Sequence, residues 1–246
     1  MPHTVGDQGY ALVSCHVERP LDDRVWARYV SFLGGRPGGF AVASLLRPPD
    51  AEHGESEAPW LERARLAATL GPLGHHTHWT SPTHARPSAS LSPGPAERVR
   101  TEGAWLRERG IDARFFCGGA WYMDAEVAEA VAELGYADCT ATPERPSFLE
   151  PGAARIELDQ PAWLILPGGS RLLEIPSTHS IGELVRALPR ALPRVVHVHF
   201  HDYDLLDPRR RLALEAGLRL LALRRRRAGL GDVTATDERR LEQALA

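Results

Sequence analysis

Leu73-Gly74-His75-His76-Thr77-His78-Trp79 places three histidines within four residues at the end of a short apolar run. In an extended chain successive side chains alternate faces, so His76 and His78 share one face while His75 and Thr77 take the other. Two imidazoles two residues apart at a strand end can grip one divalent cation. Neutral imidazole is the commonest metal ligand, and zinc, nickel, cobalt or iron suits imidazoles completed by a carboxylate. An isolated His-x-His more often marks a solvated polar turn, so a second pair of the same geometry carries weight. Ala11-Leu12-Val13-Ser14-Cys15-His16-Val17-Glu18 reads as a buried strand with His16 and Glu18 on one face.

Outward from these two strands the chain alternates strand and helix. Asp22 and Asp23 cap a helix through about Leu33, and Gly38–Leu46 reads as a second buried strand ended by Pro48-Pro49. A helix over 59–70 leads into the histidines. The Ser-, Pro- and Thr-rich residues 81–95 are expected to form a lid loop. A helix over 96–109, a strand over 113–117, a helix capped by Asp124 and a short extended segment over 136–142 follow. Residues 154–158, 163–166 and 171–175 are strand candidates forming a hairpin region, and 181–188 reads as a helix. The strand over 194–201 carries His197, His199 and His201 on one face. A helix over 208–226 is expected to bury Leu212, Leu214, Leu218, Leu221 and Leu223, with Arg224 to Arg227 at its solvated end. A final strand over 232–236 and a closing helix from Asp237 complete the pattern, which indicates parallel pairing and an α/β fold.

With 246 residues, 43% hydrophobic and 25% charged, one sizeable core suffices, and a single domain over 1–246 is expected. A net charge of −3 argues against a nucleic-acid partner. The chain holds no lysine, so all 29 cations are arginine and an arginine cluster is weak evidence of anion binding. Cys15, Cys117 and Cys139 are odd in number and widely spaced, which is no disulfide framework. No leader-like segment and no apolar run of membrane-spanning length are visible. A cytoplasmic protein with no membrane partner is therefore expected; self-association is left open.

In order and content the motifs resemble the polysaccharide deacetylase family (carbohydrate esterase family 4, the NodB-homology domain) over about residues 11–206. Ser14-Cys15-His16-Val17-Glu18 stands where one branch reads FDVE, and Gly74–Trp79 where it reads GLHLHPW. Phe116-Cys117-Gly118-Gly119-Ala120-Trp121, then Leu134-Gly135-Tyr136-Ala137-Asp138-Cys139-Thr140, resemble the third motif and its sequel. Leu173-Glu174-Ile175-Pro176 and Phe200-His201-Asp202-Tyr203-Asp204 resemble the last two.

The resemblance implies a distorted (β/α)7-type barrel with a metal at the C-terminal strand ends. Carried over residue by residue, it makes Glu18, His76 and His78 the ligands of a divalent cation, zinc first, and His201 the general acid. Two departures stand out. His16 occupies the place of the family's base Asp, and Cys117 that of the arginine orienting it. His16 is then either the base itself, with an ordinary pKa of about 6.5, or an extra ligand. Trp79, Cys117, Trp121, Tyr122 and Asp138 are candidates for contacting substrate. The implied activity is removal of an N-acyl group, acetyl first, from an amino sugar or sugar-like small molecule, the substrate partner being a small molecule or glycan. The alternatives are a carbohydrate-binding or regulatory protein on the same scaffold and a metal-free hydrolase of other C–N bonds.

Overall fold

The computed structural model describes residues 9–87, 94–149 and 152–245. In chain order the regular elements are β1 (Tyr10–Val17), α1 (Asp23–Gly35), β2 (Val42–Leu46), α2 (Glu57–Leu70), β3 (Leu73–Thr77), α3 (Pro95–Glu108), β4 (Ala113–Gly118), α4 (Ala125–Glu133) and β5 (Ala137–Asp138). Then come β6 (Ala162–Ile165), β7 (Arg171–Glu174), α5 (Ile181–Ala187), β8 (Val195–His201), α6 (Pro208–Ala222), β9 (Arg226–Arg227), β10 (Glu238–Arg240) and α7 (Leu241–Ala244). The sheet order is β10-β6-β7-β5-β4-β3-β2-β1-β8, with β9 paired to β1. Every pairing is parallel except the β6–β7 hairpin.

The run from β8 through β1, β2, β3, β4 and β5 to β7 supplies the seven parallel staves of a distorted barrel. Its gap between β7 and β8 is bridged by the residues following β7. Ile175 N donates to Asp138 O on the β5 side at 2.7 Å. Two turns of the pleat later, His179 N donates to His197 O and His199 N to His179 O, both at 2.9 Å.

Strand alternation decides what fills the barrel and what packs outside. Leu12, Leu45, Phe115, Cys117, Cys139, Ile175 and Val195 form the apolar floor inside. Ala11, Val13, Cys15 and Val17 on the opposite face of β1 pack with Trp26, Tyr29 and Phe32 of α1 and Leu214, Leu218 and Leu221 of α6. Ser14 and His197 form a satisfied polar pair above the floor: His197 Nε2 lies 2.8 Å from Ser14 Oγ, and its Nδ1 donates to Pro176 O at 3.1 Å. The helices begin where their caps dictate. Asp22 accepts from Arg24 N and Val25 N, and Asp124 from Val127 N.

Several expectations about the second half change. The helix over 208–226 stops at Ala222, and Arg226–Arg227 join the sheet beside β1. Arg224 and Arg225 follow the end of α6, the first exposed, and their guanidinium groups donate to carbonyls of Leu188, Arg190, Leu192 and Pro193. Leu212 and Leu223 are 66% and 83% exposed, so only Leu214, Leu218 and Leu221 of the expected stripe are core. Residues 154–158 form isolated bridges rather than a strand, and 232–236 is not a strand, the last one being β10. Of the expected lid over 81–95, residues 88–93 lie outside the described residues. Residues 81–84 form a tight turn closed by His84 N donating to Ser81 O at 3.0 Å. Among the described residues no helix is long and apolar enough to cross a membrane.

Candidate metal centre

Parallel strands bring their C-terminal ends to one side of a barrel, which is where loops can carry chemistry on a rigid base. Here those ends supply Glu18 after β1, His76 from β3 and His78 just after it, Cys117 from β4, and His199 and His201 from β8. Register sets the neighbours: His16 lies opposite His201, and His76 opposite Cys117.

The focal atom is Glu18 Oε1. His76 Nε2 lies 3.8 Å from it, His78 Nε2 3.6 Å and His201 Nε2 3.4 Å. These separations exceed hydrogen bonds, and the other ring nitrogens are already committed. His76 Nδ1 donates to Cys117 O at 2.8 Å, and His78 Nδ1 donates to Pro82 O at 2.9 Å. With Nδ1 donating to a carbonyl, each ring turns its Nε2 to the same point, the tautomer-fixing arrangement typical of metal-bound histidine. The turn at 81–84 thus has a definite role in aiming His78.

Nε2 of His16, His76 and His78 and Nδ1 of His199 are buried with no hydrogen-bond partner. Leaving such atoms unpaired is costly, and several imidazole nitrogens beside one carboxylate form a donor set that a divalent cation fits. The ligand atoms of Glu18, His76 and His78 lie within 4.8 Å of one another.

Electrostatics divides the imidazoles. Burial holds His16 well below the ordinary histidine value, reinforced by the neighbouring rings of His76, His201 and His199. Burial likewise brings His76 down to about 4, with Glu18 pulling the other way. His201 goes in the opposite direction. Its burial is outweighed by Asp204 and by the Glu18 and Asp202 carboxylates, so its proton is held more tightly than usual. For Glu18, burial is outweighed by the facing imidazoles of His76, His78 and His201, and its carboxyl is held below the usual range. Asp202 pins the segment beyond Glu18 by accepting from Arg19 N at 2.8 Å, and burial raises that carboxyl to about 6.

Trp121 roofs this cluster. Its ring centroid is 5.8 Å from that of His16, 5.3 Å from His199 and 6.4 Å from His201. The turn delivering it is strained: Ala120 and Trp121 both have positive φ, 54° and 55°. Non-glycine residues there cost about 1–3 kcal/mol each, which surrounding structure must offset. Beside the cluster opens a cavity of about 960 Å³, lined among others by Trp121, Phe148, Thr178, His199, His201 and Arg210.

The sequence candidates divide accordingly. Glu18, His16, His76, His78, His201, Cys117 and Trp121 come together. Trp79 does not present its ring to a ligand; it is fully buried and its Nε1 donates to Gly119 O at 2.8 Å. Tyr122 donates to Asp124 and packs on Trp79, outside the cavity lining. Asp138 is fully buried, held by Thr140 and paired with Glu174 on the neighbouring strand. Missed by sequence reasoning were Phe148, in a stretch without periodicity, and the role of Asp204, quoted only as part of the last motif; it accepts from His201 N at 3.0 Å.

No family model matches the sequence, and no curated protein matches it. Among solved structures the chain is similar to the 4-alpha-glucanotransferase from Thermococcus litoralis, at a TM-score of 0.57 and 16% identity over 93% of this chain. It spans only 39% of that enzyme. It is also similar to the chitin deacetylase from the fungal pathogen Colletotrichum lindemuthianum, at a TM-score of 0.52 and 14% identity, covering 97% of this chain and 92% of that one. The family 4 carbohydrate esterase from Streptomyces lividans aligns at a TM-score of 0.45 and 11% identity, covering 87% and 86%. With nearly the whole of both chains superposed on the chitin deacetylase, the fold is a polysaccharide-deacetylase-like α/β barrel.

Proposed function

We propose that this protein is a metal-dependent hydrolase that removes an N-acyl group, acetyl first, from an amino sugar or sugar-like small molecule in the cytoplasm. The observation that carries this reading is the convergence of three Nε2 atoms on Glu18 Oε1 at 3.4–3.8 Å, two of them fixed as lone-pair donors by carbonyls on the far side of their rings. Glu18, His76 and His78 would hold the cation, zinc first. A cation so held supplies Lewis acidity, polarising an amide carbonyl and making water nucleophilic near neutral pH.

The remaining steps belong to the chain. His16, kept neutral by burial and with a free Nε2, accepts the proton that the attacking water loses as it adds to the acyl carbon. His201, kept protonated by Asp204 and Glu18, gives its proton to the amine nitrogen as the C–N bond breaks. The products are a carboxylic acid and an amine. Trp121 and Phe148, with centroids 5.7 Å apart on the cavity wall, offer apolar faces on which a sugar ring stacks.

The test is metal content and acetate release. Purified protein is expected to carry about one divalent cation, lost in His76→Ala and His78→Ala, and to release acetate from some member of a panel of N-acetyl sugars. Negligible metal in all three samples would remove the proposal in favour of a metal-free reading. Bound metal without release from any N-acyl substrate would favour a binding protein on this scaffold.

A further inference from the structure

The donor atoms at the barrel mouth form two groups, not one. Besides Glu18, His76 and His78, the ligand atoms of His16, His76 and Cys117 also lie within 4.8 Å of one another. All three of these residues are buried, Cys117 fully and the two histidines at 2% exposed. His16 and His76 stack with ring centroids 4.8 Å apart and planes inclined by 22°, and Cys117 stands beside His76 in the β3–β4 register. His16 Nε2 has no hydrogen-bond partner. Cys117 Sγ makes a weak 3.7 Å contact with the Gly118 carbonyl and also interacts with the Thr140 side chain.

From this second group we infer an inner metal seat of one thiolate and two imidazoles, open to thiophilic cations such as zinc, cobalt or cadmium and closed to magnesium, calcium and manganese. The chemistry of the donors sets that preference, since sulfur and imidazole favour the softer ions while hard ions require oxygen ligands. Binding replaces the Cys117 S–H bond with a sulfur–metal bond, and the proton leaves to solvent. Both seats use His76. Its Nδ1 hydrogen is committed to Cys117 O, so the ring has a single lone pair and serves one cation at a time. The seats therefore compete, and an ion in the inner one occupies the His16 lone pair that takes up a proton in the proposed hydrolysis. This inference rests on that reading for the outer seat only.

Cobalt(II), the spectroscopic stand-in for zinc, separates the two. Metal-free protein carrying Glu18→Gln, which weakens the outer seat alone, is titrated with cobalt and followed in the near-ultraviolet for thiolate-to-cobalt charge transfer. The band is expected to appear with a stoichiometry of one, to vanish in Glu18→Gln/Cys117→Ser, and to persist in Glu18→Gln/Cys139→Ala. Zinc affinity is expected to fall by about 10- to 100-fold or more when Cys117 is replaced, at least the loss usual for a mere supporting contact. If folded Glu18→Gln, checked by circular dichroism and repeated with Glu18→Ala, gives no charge-transfer band, the inner seat does not exist. Cobalt bound by the wild-type chain without the band in any variant would leave the outer seat standing and remove only the inner one.

Discussion

Replacing Glu174 by glutamine should abolish a pH dependence of stability that the fold itself creates. Asp138 and Glu174 face each other across the β5–β7 pairing, and both are fully buried. One oxygen of each has a donor: Thr140 Oγ1 donates to Asp138 Oδ1 at 2.6 Å, and Ala141 N to Glu174 Oε1 at 2.9 Å. The remaining oxygens, Asp138 Oδ2 and Glu174 Oε2, have no other donor, so a single proton shared by the pair is what satisfies them. Burial, then the Asp138 charge, pushes the Glu174 carboxyl well above its ordinary value of 4.5. The folded protein thus keeps a proton that the unfolded chain gives up, and stability must fall as pH rises from the unfolded value through the raised folded one. The slope for one proton is about 1.4 kcal/mol per pH unit, or nearly 3 kcal/mol between about pH 5 and about pH 7 if the folded pair holds its proton across that interval. In Glu174→Gln the amide NH2 gives Asp138 a permanent donor that favours its charged form, so the raised Glu174 titration is gone and Asp138 alone of the pair still titrates. Urea unfolding across that range measures both slopes, and the difference between them isolates the pair from other titrating groups. The variant should gain on the wild type as pH rises. Parallel stability curves would refute the shared proton.

Two further outcomes follow from the same geometry. His201→Gln is expected to lower kcat by roughly 10²- to 10⁴-fold, the usual worth of a general acid, and to remove the decline of wild-type activity on the alkaline side, where His201 loses its tightly held proton; an unchanged pH profile would assign the acid elsewhere. Gly74→Ala is expected to cost about 1–3 kcal/mol by overpacking, because a Cβ there meets Leu45 Cδ2 at 2.2 Å and Phe115 O at 2.8 Å; a thermal midpoint equal to wild type would mean that the floor beneath His76 is looser than described.

The local periodicities in the sequence foresee most of the strands and helices and their parallel pairing, while closure into a barrel was implied only by the family resemblance, and the reason shows in β3. Alternation assigned His76 and His78 to one face and His75 to the other, and His75 indeed points outward to Glu102 of α3 at 2.8 Å. The same rule placed His16 with Glu18. What escaped depends on partners distant in sequence. Arg224 to Arg227 carry helix-favouring side chains, yet β1 captures the last two as a strand and the carbonyls of residues 188–193 capture the guanidinium groups of the first two. Trp79 resembles any aromatic at a strand end until the Gly119 carbonyl and the Tyr122 ring close over it. Asp138 reads as a polar residue near the site; only the β5–β7 register reveals that its partner is Glu174.

Relative to the pattern that the sequence resembles, His16 and Cys117 belong together as one arrangement of charge inside the barrel. In the family pattern an aspartate and an arginine would occupy these positions, a pair of opposite charges whose desolvation is worth enduring only while both are present. Losing the arginine alone would strand a buried carboxylate; losing the aspartate alone would strand a buried guanidinium. Here both positions hold groups that are neutral when buried. His16 is held deprotonated and Cys117 is kept as a thiol, each primarily by burial. Behind Cys117 the Asp138–Glu174 pair retains a proton as well. Glu18 is thus the carboxylate held ionised at the centre of the imidazole cluster, with the raised His201 as its counter-charge. The imidazoles facing Glu18 then compete, through their lone pairs, for whatever positive centre balances it. A cation that coordinates Glu18, His76 and His78 satisfies that carboxylate and two of the orphaned nitrogens at once, which protonating a single ring does not.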